Sequence, residues 1–292
     1  MVHKELAAIL AQLSKCDGFS ESTVPGVRLA CSHRSHLRAP LLYQPSLTLV
    51  AQGQKTGYLG ERVIHYGAGH YLLQTLPLPF ECETDASLAQ PLLAMQVVID
   101  PAMLAELTQA IGTVPPEQVP LLPMAALPMN DSMAQAALRL AEALADPLTA
   151  RVMGQSRVKE LLYEALRGPQ GRALWELAEG QGHYSQIVQV LGQLQQDLTA
   201  PLRVESLAKS AGMSLSSFHY HFKSITGSSP LQYQKKLRLL QAQLLLSHDD
   251  NNVTQAAMAV GYQSVHHFSR DYKRYFGWAP GADKKSRLAA VG

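Results

Sequence analysis

The chain has 292 residues, enough for two domains with separate cores. Hydrophobic residues make up 47% and charged residues 16%, a globular and soluble composition, and no apolar run reaches the roughly 18 residues of a membrane-spanning helix. The net charge of +2 conceals an asymmetry: residues 1–184 hold 13 Lys/Arg against 17 Asp/Glu, whereas residues 185–292 hold 12 against 6. A basic C-terminal part beside an acidic N-terminal part fits a polyanion-binding domain joined to something else. The three cysteines, Cys16, Cys31 and Cys82, form no CxxC pair, which excludes a zinc finger and argues against a disulfide framework; buried thiols are expected.

In chain order, the N-terminal stretch MVHKELAAILAQLSK reads as an amphipathic helix. It lacks the continuous apolar core and small-residue cleavage site of a signal peptide, so a cytoplasmic location is expected. Residues 20–100 read as β-rich. Leu47–Ala51 and Leu92–Ile99 are strand-like, turn signals fall at Gly53, Gly60 and Gly67-Ala68-Gly69, and Gly57–Ile64 reads as a hairpin turning at Gly60. Short strands between glycine turns predict a sandwich or barrel. Pro101 opens a helix to about Ile111. Thr113–Asn130 is proline-rich and expected to be extended, without regular structure. Three helices follow: one N-capped by Asp131, one over about Ala150–Arg167 and one over about Gly171–Glu179. They are candidates for dimer contacts and signal relay.

The basic part begins near Tyr184 with an apolar stripe of Ile187, Val190, Leu191 and Leu194. Beyond it lies a repeat. Ser214, Phe218, Phe222, Lys223, Gly227 and Pro230 recur 50 residues later as Ser264, Phe268, Tyr272, Lys273, Gly277 and Pro280. Upstream, Ala208-x-x-Ala211-Gly212-Met213 is echoed by Ala257-x-x-Val260-Gly261-Tyr262. Each copy reads as short helix, glycine turn and N-capped second helix, the pattern of a helix-turn-helix that sets its second helix in the DNA major groove. The helix from Pro230 to about Ser247, roughly 26 Å long at 1.5 Å per residue, lies between the copies and would space them for successive major grooves.

Helical periodicity turns Phe218, Phe222 and Ile225, and in the second copy Phe268, Tyr272 and Tyr275, toward a core. Ser216, His219, Tyr220, His266, His267 and Arg270 are then candidate base contacts. Arg270 is the sharpest of them, because a guanidinium donates two hydrogen bonds to guanine O6 and N7. Lys223, Lys273 and Arg274, with the caps Ser214 and Ser264, are candidate phosphate contacts. For any one basic residue the bland alternative is a solvated helix face. It does not explain the duplication of cap, aromatic spacing, lysine, glycine and proline at a fixed offset.

With these residues in view, Pro201–Ala282 resembles the DNA-binding domain of the AraC/XylS family of bacterial transcription regulators. The resemblance rests on Leu207-Ala208…Gly212-Met213-Ser214, Phe222-Lys223…Thr226-Gly227…Ser229-Pro230…Tyr233, Arg238, Leu245-Leu246 and Val260-Gly261-Tyr262…Ser264…Phe268-Ser269-Arg270…Tyr272-Lys273…Phe276-Gly277…Pro280. It implies seven helices, two of them docking in adjacent major grooves. The family usually has arginine where this chain has Tyr220, beside His219; the second copy keeps its arginine, Arg270. Residues 24–110 resemble the N-terminal domain of a subgroup of the family, through Pro25-Gly26-Val27, Tyr43–Leu47, Val50–Lys55, Tyr66–Leu72 and Leu76–Pro79, with Gly168–Gly171 fitting as well.

The fold class this implies is α+β: a cupin-like N-terminal β-barrel, a helical linker region and an all-α C-terminal domain with two helix-turn-helix units. The corresponding boundaries are 1–112, 113–183 and 184–292, with the two units at about 204–226 and 253–276. The implied function is sequence-specific regulation of transcription, with activation the expected direction because AraC-like regulators most often activate. Control would come from a small molecule or a redox or electrophile signal at the barrel. Double-stranded promoter DNA, RNA polymerase, a small-molecule effector and a second copy in a homodimer are the implied partners, with no membrane and no cofactor.

The alternative is a cupin-type small-molecule binding protein or enzyme with a secondary DNA-binding role. Metal-binding cupins generally carry an HxH pair with a following Glu and a distant His. Here His65 and His70 are five apart, on opposite faces if one strand held both, and His33 and His36 fall in an expected loop, so no metal ligands are assigned. Cys82, flanked by Glu81 and Glu83, is read as a buried inert cysteine because those charges disfavour a thiolate. A reactive sensor thiol is its alternative, and Cys82, His65 and His70 are the ligand or sensor candidates.

Overall fold

Alternation of apolar and polar residues builds most of the N-terminal strands, and the computed structural model describes residues 2–14, 17–113, 120–179, 182–246 and 251–284. The chain divides into two compact units, residues 1–38 with 43–185, and residues 39–42 with 186–292.

In the N-terminal half, helix α1 (Val2–Leu13) precedes strands β1 (Gly18–Glu21), β2 (Val27–Ser32), β3 (His36–Leu42), β4 (Ser46–Gln52), β5 (Gln54–Leu59), β6 (Arg62–Gly67), β7 (His70–Gln74), β8 (Pro79–Asp85) and β9 (Leu92–Val98). Helix α2 (Pro101–Ile111), strand β10 (Met124–Pro128) and helices α3 (Asp131–Ala145), α4 (Pro147–Leu166) and α5 (Gly171–Glu179) follow. One sheet runs β1-β2-β9-β4-β7-β10 and the other β3-β8-β5-β6. The β5–β6 hairpin turns at Gly60-Glu61, with Leu59 opposite Arg62.

β9 is apolar except for Gln96, because both of its faces are covered. Leu93, Met95 and Val97 join Leu47, Leu49 and Leu73 in a core closed by Leu6 and Leu10 of α1 and by Met133, Ala137 and Leu140 of α3. Its other face is polar in part: Gln96 accepts from Arg28 at 2.6 Å and donates to Ser46 at 3.2 Å. β8 alternates in the same way. Phe80, Cys82 and Thr84 are buried, and Glu81 and Glu83 lie on the opposite side of the strand.

Three local expectations are corrected. The proline-rich stretch is not wholly irregular, since Met124–Pro128 pairs antiparallel with β7. Pro123 precedes this segment and Pro128 is its last residue, and β10 lies at a sheet edge, where a missing backbone donor is tolerated. Its neighbours Pro115 and Pro116 lie outside the described residues. The cap of α3 is Asn130, whose side chain accepts from Met133 N at 2.8 Å, and Asp131 instead supplies negative charge to the first turn. α4 also begins earlier than expected, because Asp146 caps it and Pro147 takes the first position.

The second unit is helical. α6 (Gly182–Gln196) crosses the division, followed by α7 (Val204–Ser210), α8 (Leu215–Thr226), α9 (Pro230–Leu246), α10 (Val253–Ala259) and α11 (Val265–Phe276), with residues 280–284 helical as well. α9 serves two small cores. Tyr233 meets Phe222, itself stacked near Phe218, while Leu239, Ala242 and Leu246 pack with Ala256, Val260, Phe268 and Tyr272.

Candidate nucleic-acid interface

Both second helices are fixed at their two ends. Ser214 Oγ accepts from Ser217 N at 3.3 Å and Ser264 Oγ from His267 N at 3.4 Å, so each cap is spent on its own helix while its hydroxyl hydrogen stays available. Left-handed Gly227 and Gly277 close the C-termini. In between, the aromatic pairs Phe218/Phe222 and Phe268/Tyr272 are buried completely.

The opposite faces are open. Ser216, His219, Tyr220 and Lys223 on α8 are exposed, as are His266, His267, Arg270, Lys273 and Arg274 on α11. At 100° per residue, Tyr220 and Arg270 stand directly across from the buried aromatics, flanked by Ser216 and Lys223 in one helix and by His266 and Lys273 in the other. All six candidate base contacts therefore lie on the outer surfaces of the two helices. Arg270 makes no hydrogen bond or ion pair with any described residue, whereas Arg274 donates to Asp271 at 2.9 Å yet keeps its side chain 69% exposed.

Asp271, which did not stand out in the sequence, and Arg238, which the family resemblance included without a role, hold this surface in place. Asp271, buried on α11, also accepts an ion pair from Lys235 of α9 at 2.6 Å. Arg238 of α9 donates to the backbone oxygens of Leu198, Ala200 and Gly261 at 2.6, 3.1 and 3.4 Å, which fastens the second glycine turn to the segment ahead of α7. Burial depresses the Arg238 pKa below the ordinary guanidinium value, against the opposing influence of Tyr262 and Asp197. The only sequence signal for Asp271 was a single acid inside an otherwise basic helix.

The sequence families now fall into place on this geometry. The family described as AraC-type transcriptional regulator N-terminus matches residues 23–173, just over half of the chain. The chain belongs to the AraC-type transcriptional regulators. A helix-turn-helix domain family matches residues 207–286 of this AraC-type regulator, across α8 and α11. HTH-type transcriptional activator RhaS of Escherichia fergusonii is 37% identical over 87 residues, 30% of this chain and 31% of that protein. Its counterpart in Salmonella schwarzengrund is 32% identical over 103 residues, 35% and 37% of the two chains. The match thus spans about a third of the length of these curated relatives. ToxT from Vibrio cholerae O395 is similar in structure with a TM-score of 0.59 at 11% identity, over 89% of this chain and 96% of that one. ToxT with bound unsaturated fatty acid gives 0.58 at 10% identity, over 88% and 94%. At such identities the likeness is one of fold.

The N-terminal candidates lie in two places. Cys82 is 4% exposed and faces the interior, with the Tyr66 hydroxyl 3.6 Å from its sulfur. Strand alternation carries Glu81 and Glu83 away from it, toward Arg38 and to a 2.8 Å hydrogen bond from Tyr58, so the flanking acids do not define the thiol's surroundings. Burial raises the pKa of Tyr66 well above the ordinary phenol value, the nearby Cys82 being a lesser cause. His65 and His70 do not share a strand, as one continuous strand would require: β6 carries the first and β7 the second. The turn between these strands brings both to one cleft of about 580 Å³, lined also by Gln52, Gln54, Lys55 and Thr56.

Proposed function

We propose that this regulator binds an asymmetric promoter site through α8 and α11. The observation that carries the reading is the paired exposed face: in each helix a buried aromatic pair leaves one polar surface outward, and the two surfaces match in position but differ in chemistry. Arg270 is proposed to read guanine bidentately, with His266 and His267 beside it. Ser216, His219 and Tyr220 read the other half with single hydrogen bonds or apolar contact. Lys223, Lys273 and Arg274, together with the hydroxyls of Ser214 and Ser264, position the helices on phosphates. α9, of roughly 25 Å at 1.5 Å per residue, spaces the units for one DNA face.

The described RhaS relatives are named as activators, which supports activation and therefore contact with RNA polymerase. The N-terminal unit is proposed to take a small-molecule effector that shifts the population toward the DNA-binding state. The polar cleft beside His65 and His70 and the polar line Arg28–Gln96–Ser46 are its candidate sites. The near-complete burial of Cys82 favours packing over sensing. Self-association is proposed to run through helices of residues 131–179. The role needs no catalysis.

Selection of bound sequences from a random duplex pool by the full chain tests the reading. Two blocks of base preference about one helical turn apart are expected. A pool bound without enrichment would overturn it.

A further inference from the structure

The register of the β1–β2 pair places Gly18 opposite Cys31, which brings Asp17, just ahead of β1, beside the end of β2. Cys31 and His33 are two apart and so project to the same side of the chain. The result is a compact three-residue cluster. His33 Nδ1 lies 2.6 Å from Asp17 Oδ1 and 3.8 Å from Cys31 Sγ, and the three ligand atoms all fall within 4.8 Å of one another.

We propose that Asp17, Cys31 and His33 bind a divalent transition ion of the zinc class. A thiolate, an imidazole and a carboxylate select such an ion over magnesium or calcium, which take oxygen alone. In a tetrahedral zinc site with bonds of about 2.3 Å to sulfur and about 2.0–2.1 Å to nitrogen and oxygen, ligand atoms stand roughly 3.3–3.6 Å apart. The sulfur–nitrogen separation of 3.8 Å closes by about 0.2 Å to reach that range, and the nitrogen–oxygen pair opens by less than about 1 Å. Cys31 is buried, while the side chains of His33 and Asp17 are 44% and 38% exposed, so the ion has three protein ligands with its fourth position toward solvent. A carboxylate–imidazole hydrogen bond explains Asp17 and His33 without an ion, and Cys31 also packs in the core; the ion is what would bond all three. An ion here ties the stretch entering β1 to β2, in the unit proposed to take the effector.

The site is independent of the DNA reading and is tested without DNA. Reduced, chelator-stripped full-length protein is titrated with Co(II) and then Zn(II). One Co(II) per chain should produce a thiolate-to-cobalt charge-transfer absorption and tetrahedral visible bands, both removed by Zn(II). Cys31→Ser should abolish the charge-transfer band and Cys82→Ser should retain it. Asp17→Asn and His33→Gln, at half-exposed positions that leave the fold intact by circular dichroism, should each weaken binding at least about tenfold. A protein without the thiolate band at one equivalent, a band that survives Cys31→Ser, or full affinity in His33→Gln would each overturn the proposal.

Discussion

Arg270 and Tyr220 occupy the same place on two helices built alike, each across from a completely buried aromatic pair. A guanidinium presents a fork of donors to guanine, whereas a phenol presents one hydroxyl. Tyr220→Arg should therefore shift the selected motif toward guanine in the half read by α8, favouring that base by about 1–3 kcal/mol; an unaltered motif would place residue 220 away from the base edges. Lys223→Ala and Lys273→Ala should weaken binding evenly across sequences, and each should flatten the slope of log affinity against log salt by about 0.9. A change confined to one base position would make either lysine a base reader. The exposure of these positions was legible because the repeat pairs them at a fixed offset. Asp271 was not, since its importance comes from Lys235 on another helix, and sequence spacing does not show which helices pack together.

At the scale of elements, the two glycine turns look interchangeable in sequence but differ in surroundings. Both Gly212 and Gly261 have positive φ, 64° and 83°. A Cβ on Gly261 would sit 2.9 Å from Thr199 Cα and 3.3 Å from Arg238 Cζ, while at Gly212 the nearest atom is 3.9 Å away. Alanine at either position pays about 1–2 kcal/mol for the left-handed backbone, and at 261 the clash adds to it. Hydrogen exchange of residues 253–276 should accelerate more in Gly261→Ala than exchange of residues 204–226 does in Gly212→Ala; equal effects would remove the contact argument. In the first unit, α3 and α4 are joined by Arg139 donating to Glu160 at 2.5 and 3.3 Å, which holds the Glu160 carboxyl below the usual carboxylate range. A depressed folded-state pKa means the stabilisation is present above the unfolded value and lost as pH falls through the folded one. The gap in urea midpoint between the native chain and Arg139→Gln should thus persist at neutral pH and close in acid. Strands and hairpin were legible from alternation and glycine turns. β10 was hidden because the prolines before it and at its end read as a linker, and only pairing with β7 makes it a strand. The cluster of Asp17, Cys31 and His33 was hidden for a like reason: the sequence shows Cys31-x-His33, but strand register brings Asp17 to it.

For the whole molecule, the excess of basic residues is confined to positions 185–292, where 12 Lys/Arg face 6 Asp/Glu, and four of the 12, Lys223, Arg270, Lys273 and Arg274, lie on the exposed faces of α8 and α11. That excess is modest, so charge supplies docking and the side chains on the two faces supply the choice of sequence. The most direct measurement is guanine-N7 methylation interference on a selected site, with the native full-length chain and with Arg270→Ala. Two clusters of contacts about one turn apart are expected on one face of the duplex, with a guanine signal in one cluster that disappears in Arg270→Ala and a second cluster that stays. An interference map unchanged by Arg270→Ala, or one weakened evenly over both clusters, would contradict the account.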